Sequence, residues 1–268
     1  MDLTVDKLKI GAKLVLGNYG INNDNPHPIV WLKATPNCDF ISESVLDYIC
    51  FDAREPGATE RNDRYGGNPQ LSLSNIFSFL NSDAEEWYHP MHEVDAPPDT
   101  GNVATRRLAY NRHYGFLYHF SEFEIDSLRY SAFEVNGEQL SSLIRLPMDS
   151  EILGANRFKL FHKKGIRPNG TEDMVYGRNV GNFDYASYID FWVGDMYGDQ
   201  RVRIISRSGN PDRRYPKDEC GLRPVCNVKP DTAVLSGEND SFYIKPYTVS
   251  QNICTEEELL NFLGLARP

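Results

Sequence analysis

The 268-residue chain has no apolar run approaching the roughly 20 residues that a membrane-spanning helix needs, so it carries no expectation of membrane insertion. Its first residues, MDLTVDKLKIGAKLVL, interrupt their apolar positions with charges and offer no small-residue cleavage site, so they do not read as a secretory signal. The five cysteines, Cys38, Cys50, Cys220, Cys226 and Cys254, are odd in number and contain no CxxC pair, which fits free thiols and cytosolic synthesis better than a disulfide framework. In that setting the Asn169-Gly-Thr171 and Asn239-Asp-Ser241 sequons are chance matches. Positive charge is scarce: 28 Lys and Arg against 38 Asp and Glu give a net −10, which excludes general nucleic-acid binding. The glycines from Gly177 to Gly181 do not join a strand to a helix as a phosphate loop must, and no cofactor is implied.

What is present is concentrated between Phe191 and Lys229. Phe191-Trp-Val193 is a strand closed by Gly194, and Arg201-Val-Arg-Ile204 alternates polar and apolar as a half-buried strand does. Ser208-Gly-Asn-Pro211 breaks the pattern, a polar loop follows, and Gly221 to Val228 resumes β character. Pro224 lacks an amide donor, which predicts that this last strand lies at an edge or carries a bulge. The stretch holds eight Lys and Arg against five Asp and Glu, so it is +3 while the remainder is −13. The 12% aromatic content suits sheets and contact surfaces.

Toward the N-terminus, Lys13–Leu16 and Pro28–Leu32 read as a hairpin around the turn formers Asn22 to Pro26. Ser42 to Cys50 reads as a helix with Val45, Leu46 and Ile49 on one face. Ser74 to Asn81 is a short amphipathic helix, and Ser82 caps a second turn carrying Trp87 and Tyr88. Ser121 and Glu124 have capping-box spacing. Ser142 to Leu146 is a strand stopped by Pro147, Asp149 caps a short helix ending at Gly154, and helical turns follow at Arg157–Lys164 and after Thr255. Residues 52–69 and 165–184 read as long loops. Helices in the first half and strands at both ends predict one α+β domain over residues 1–268, with a division near Pro147 as the second choice.

The succession Pro28-Ile-Val-Trp-Leu32, Phe40-Ile-Ser42, Ser72-Leu-Ser-Asn-Ile76 with Phe79-Leu-Asn81, Ile144-Arg-Leu-Pro147, Phe191-Trp-Val193, Ile205 to Gly209 and Gly221-Leu-Arg-Pro-Val225 resembles a domain-of-unknown-function family of Gram-positive gut bacteria and their prophages. That family is similar to the C-type-lectin-like fold shared with formylglycine-generating enzymes. The resemblance implies a small twisted antiparallel sheet flanked by short helices, with long irregular loops and the chain ends close together. It implies no activity, since that fold hosts enzymes and binders alike. Cys220 and Cys226 flank the Gly-Leu-Arg-Pro strand and do not match the enzymes' cysteine motif, and a Glu-Pro-Asn sugar loop is absent.

Three sets of residues carry candidate chemistry. His89, His92, Glu93 and Asp95 are metal-donor types, but they lack a His-Glu-x-x-His spacing and Pro90 separates the histidines, so a hydrogen-bonded structural loop is the simpler reading. Asp184, Asp190, Asp195 and Asp199 supply carboxylates for an acid and base pair, or are turn residues. Arg207, Arg213 and Arg214 with Tyr197 and Tyr215 have the composition of a recognition surface, with a solvated loop as the alternative. Arg201 and Arg203 read as solvated, whereas Arg223, Trp31, Trp87 and Trp192 read as structural.

The expectation is a non-enzymatic binding module of phage or prophage origin that recognises a protein or glycan through Arg178, Asp184, Asp195, Tyr197, Arg207, Asn210, Arg213, Arg214 and Tyr215. A virion-surface role and an intracellular anti-defence role both fit it, and homo-oligomerisation or virion assembly stays open. The competing expectation is an enzyme acting on a sugar or a protein side chain through loop carboxylates.

Overall fold

The computed structural model describes residues 2–20, 26–56, 66–104, 109–152, 190–206, 210–238 and 240–246. The helices expected at Arg157–Lys164 and after Thr255, and the sequons at Asn169 and Asn239, lie outside them. The described residues are mostly β, with few and short helices. None of these helices is long and apolar enough to cross a membrane.

The hairpin expected near the N-terminus is formed by β1 (Lys13–Tyr19) and β2 (His27–Lys33), whose register pairs Leu14 with Trp31. Beside β2 lies β3 (Asp39–Ser42), and the sheet continues through β12 (Val225–Asn227) to the two-residue β7 (Ile144–Arg145). On the other flank, β14 (Ser241–Ile244) runs parallel to β1 and antiparallel to β13 (Val234–Ser236), completing seven strands. A second sheet of five strands has the order β10 (Pro211–Arg214), β9 (Val202–Ile205), β8 (Phe191–Met196), β11 (Glu219–Leu222) and β4 (Asp47–Cys50). The "small antiparallel sheet" of the resemblance is thus exceeded twice over, and both larger sheets include a parallel pair.

Period-two alternation explains the layers. Trp31, Phe40, Cys226, Trp192, Val202 and Ile204 all point into one large core, whereas Leu32, Ile41, Val225, Phe191, Val193 and Ile205 point into a smaller one behind the sheets. Both indole N–H groups find backbone acceptors, Trp31 Nε1 donating to Leu16 O at 2.8 Å and Trp192 Nε1 to Ile49 O at 2.8 Å. Trp87 stacks on Tyr110 at 5.4 Å and 8° within an aromatic group that includes Phe79 and Phe116.

Of the chain's passages between the two large sheets, the two short ones, between β3 and β4 and between β11 and β12, are bonded to each other. Leu46 N donates to Leu222 O at 2.9 Å, and Ser42 N donates to Pro224 O at 3.0 Å. This corrects two expectations. Ser42 to Cys50 is a strand, a corner and a strand, and its helical spacing arose because both faces of the corner are buried, so Val45, Leu46 and Ile49 are apolar irrespective of period. Gly221 to Val228 is two strands in different sheets, each interior, and Pro224 sits where the missing amide donor is free of any ladder.

The short helices obey their caps. In α1 (Asn75–Leu80) the Ser74 side chain accepts from Phe77 N, and in α2 (Glu122–Ser127) Glu124 Oε2 accepts from Ser121 N at 2.8 Å. The second turn expected after Ser82 is not helical. Asp149 opens α3 (Asp149–Ile152). A hairpin of β5 (Ser131–Val135) and β6 (Glu138–Ser142) closes on Asn136 and Gly137, both at positive φ, a turn that the Asn-Gly pair favours.

Candidate functional site

Beside the edge strand β10, Arg201, Arg203 and Arg213 of the locally positive stretch come together at the open end of the face whose Phe191, Val193 and Ile205 enter the smaller core. The register of β9 with β10 places Arg213 opposite Arg203 and, extended by two residues, Tyr215 opposite Arg201. These residues share one face, because alternate positions of a strand point the same way. The Arg213 guanidinium lies over the Tyr197 ring at 4.6 Å, and that of Arg203 lies over the same ring at 5.2 Å. Arg201 lies over the Tyr215 ring at 4.4 Å and donates from Nη2 to its hydroxyl at 3.1 Å, with Lys217 Nζ 5.9 Å from the ring centre. Among the described residues, Tyr197 and Tyr215 are two of the few large aromatic side chains left open to solvent, at 41% and 36%.

The charges of this face are unequally matched. Arg203 Nη1 stands 3.5 Å from Asp149 Oδ2, a loose ion pair. Arg201 and Arg213 have no carboxylate partner among the described residues. Beneath them, Asp195 Oδ2 accepts the Asp149 amide at 2.7 Å. Burial pushes the Asp195 carboxyl upward; the hydrogen bond from the Asp149 amide and the charge of Arg203 oppose the rise, and the Asp149 carboxylate adds to it.

β10 is the edge of its sheet, yet it offers little to an incoming strand. Its register directs the amides of Asp212 and Arg214 to β9 and those of positions 211, 213 and 215 outward. Position 211 is proline. Arg213 N donates to Asp212 Oδ1 at 2.9 Å, and Tyr215 N to Asp218 Oδ2 at 3.2 Å. The edge lacks free outward amides for strand addition, and recognition there falls mainly to side chains.

The structure sorts the expected residues. Tyr197, Arg213 and Tyr215 come together with Asp195 close by. Arg214 does not join them. It points to the opposite face, where its Nη2 pairs with Asp190 Oδ2 at 2.6 Å. Asn210 is bonded to the end of β9, its carbonyl accepting from Ser206 N and Oγ, both at 2.9 Å. Residues 211–214 form a strand where a loop was expected. Arg178, Asp184 and Arg207 lie outside the described residues. Arg201 and Arg203, read as solvated, are held against tyrosine rings instead, and only the cross-strand register reveals it.

The His89 to Asp95 set does not converge. His89 and Glu93 are exposed, Asp95 accepts from Asn75 Nδ2 and Met91 N, and His92 Nε2 lies 2.5 Å from Glu55 Oε1. Among the described residues no three His, Cys, Asp or Glu side chains are placed to share a metal ion. Glu55 and the fully buried Asp52 were missed as partners in this region. Asp52 accepts from Asn68 N at 2.6 Å and Asn75 N at 2.8 Å, tying a loop to the start of α1. Desolvation, with Asp95 and Glu55 adding to it, holds its carboxyl well above the usual range.

The four described cysteines are free and buried, and burial pushes the thiols of Cys50, Cys220 and Cys226 well up. Such groups are packing thiols, not nucleophiles. Arg223 is fully buried, donating from Nε to Ser42 O at 3.1 Å and from Nη2 to Glu43 O at 2.7 Å. Comparison with family models, curated proteins and solved structures finds no match to this chain.

Proposed function

We propose that this chain is a non-enzymatic binding module that recognises a protein or glycan through the patch beside β10 where Arg201, Arg203 and Arg213 meet Tyr197 and Tyr215. The carrying observation is the pair of tyrosine-held arginines, Arg213 over Tyr197 and Arg201 over Tyr215, neither spent on a carboxylate in a chain of net charge −10. A cation over an aromatic face keeps its edge N–H donors available, and ordering a long side chain in advance lowers the cost of binding. Phage or prophage origin and a C-type-lectin-like scaffold belong to the same proposal. They rest on the order of the sequence segments, and the adjacency of β1 and β14 in one sheet supports the scaffold alone. The test is capture of partners from the native host or phage particle by the wild type and by an Arg201→Ala, Arg213→Ala double variant. Loss of capture with unchanged melting temperature is expected; full retention defeats the reading.

A second reading, an enzyme acting on a sugar or protein side chain, draws on one observation: the raised Asp195 carboxyl next to Asp149 and Arg203. Paired carboxyls with separated proton affinities are what acid and base catalysis requires. Turnover of a bound glycan or peptide that Asp195→Asn abolishes without loss of binding would establish it.

A further inference from the structure

We infer that the tyrosine-held arginines form a site for a carboxylate-bearing saccharide. The inference rests on the proposed recognition face and names its ligand class.

The geometry supplies two cationic rows. Arg203 and Arg213 share the Tyr197 ring, and Arg201 with Lys217 shares the Tyr215 ring. Two residues of strand separate the rows, about 7 Å. A guanidinium offers a planar fork of donors that matches a carboxylate with two parallel hydrogen bonds, whereas a ring beneath it fixes the plane of that fork. The loose Asp149 contact leaves Arg203 able to turn toward an added anion.

Other anionic partners fit less well. An extended peptide would add to the β10 edge, but proline removes one outward amide there and Asp212 and Asp218 occupy the next two. A protein partner with a standard interface of roughly 1,600 Å² would spread its acidic surface over a chain that is −13 outside this stretch. The same field opposes a long polyphosphate backbone. A ligand of small footprint with a few carboxylates meets the local charge and avoids the rest. Sugar rings also bring C–H faces to the exposed parts of Tyr197 and Tyr215.

The experiment is calorimetric titration with oligogalacturonate, a hyaluronan oligosaccharide and a sialylated oligosaccharide. The methyl-esterified galacturonate, inorganic phosphate and poly-L-glutamate serve as comparisons. At least one acidic saccharide is expected to bind, more weakly as salt rises, with its neutral ester failing. Arg213→Lys should lower affinity by about tenfold although charge is kept, because the fork is lost. Tyr197→Leu should weaken binding with both arginines in place. Equal affinity for Arg213→Lys and the wild type, or no binding to any acidic saccharide, overturns the inference. Binding of poly-L-glutamate or phosphate alone overturns the saccharide while the face stands. A neutral glycan or a protein lost on Arg201→Ala, Arg213→Ala likewise leaves the proposed function in place without this ligand. If no partner of any kind depends on these two arginines, both readings fall.

Discussion

Two groups of arginines in this protein lie over aromatic rings, and they differ in what their donors do. Arg223 stands 5.5 Å from the Phe191 ring centre and Arg145 stands 5.5 Å from that of Phe133. Both are buried, and most of their guanidinium donors are taken by protein: Arg223 by the carbonyls of Ser42 and Glu43, Arg145 by Glu151 at 2.6 and 2.7 Å with only its Nε left over. Arg201 and Arg213 sit closer to their rings, at 4.4 and 4.6 Å; Arg213 is exposed and Arg201 half-buried, and neither spends its donors on a carboxylate among the described residues. The ring contact is common to both groups and therefore says nothing about role. The fate of the N–H groups separates an arginine that holds the fold from one available to a partner.

The comparison breaks most clearly at Arg223. One crossing between the sheets carries this side chain, and the carbonyls it bonds belong to the other crossing. Arg223→Ala leaves those acceptors buried without their donors and opens a cavity, so a loss of about 3–5 kcal/mol is expected in urea unfolding. Arg223→Met, which restores volume but no donors, should recover only part of it. Unchanged stability in both variants would remove the structural reading of this residue. Arg145→Ala should cost less, about 2–3 kcal/mol, because Glu151 keeps 16% of its side chain open to water and can be rehydrated. Glu151→Gln at the same site separates charge from hydrogen bonding, since the amide retains one acceptor for Met148 N. A loss in Glu151→Gln as large as in Arg145→Ala would assign the effect to the ion pair alone.

An anion can be put to the same test. Asp52 is buried as completely as Arg223 but is surrounded by Asp95 and Glu55 in place of an opposite charge, and burial first, then these neighbours, hold its carboxyl well above the ordinary 3.8. A raised carboxyl favours its protonated form in the fold. Its stabilising contribution is therefore complete below the unfolded value and declines as pH rises through the folded one. Unfolding midpoints measured upward from pH 3.8 should fall in the wild type and fall less in Asp52→Asn. At the acidic end the variant should be about 1 kcal/mol less stable, because an amide cannot accept equally well from both Asn68 N and Asn75 N. Parallel pH profiles for the two proteins would contradict the assignment.

Legibility in the sequence followed the range of the cause. Ser74 and Ser121 mark α1 and α2 because a cap is decided within four residues, and the β1 and β2 hairpin follows from its turn formers. The Asn136-Gly137 pair is an equally local signal that the reading passed over. Ser42 to Cys50 failed for a different reason, since a segment buried on both faces loses the period that tells strand from helix. The candidate site was legible in composition but not in arrangement. Arg213 and Arg214 are adjacent in sequence and look like a pair, yet strand alternation sends one to Tyr197 and the other to Asp190. Arg201 joins the face only through a register that pairs it with a residue fourteen positions away.

The smallest expected effect is also the one that sharpens the contrast. Arg201→Ala and Arg213→Ala remove a half-buried and an exposed side chain whose donors hold few protein acceptors, so each should change stability by about 0.5 kcal/mol or less, and the double variant should be nearly additive. Arg214→Ala, one position along the same strand, loses the Asp190 ion pair and should cost more, about 1 kcal/mol, because that pair is half-buried. Thermal melts of the three single variants at low and high salt would order them. If Arg213→Ala destabilised the protein as much as Arg214→Ala, the tyrosine-held guanidinium would be part of the fold, and a loss of ligand in that variant could no longer be assigned to recognition.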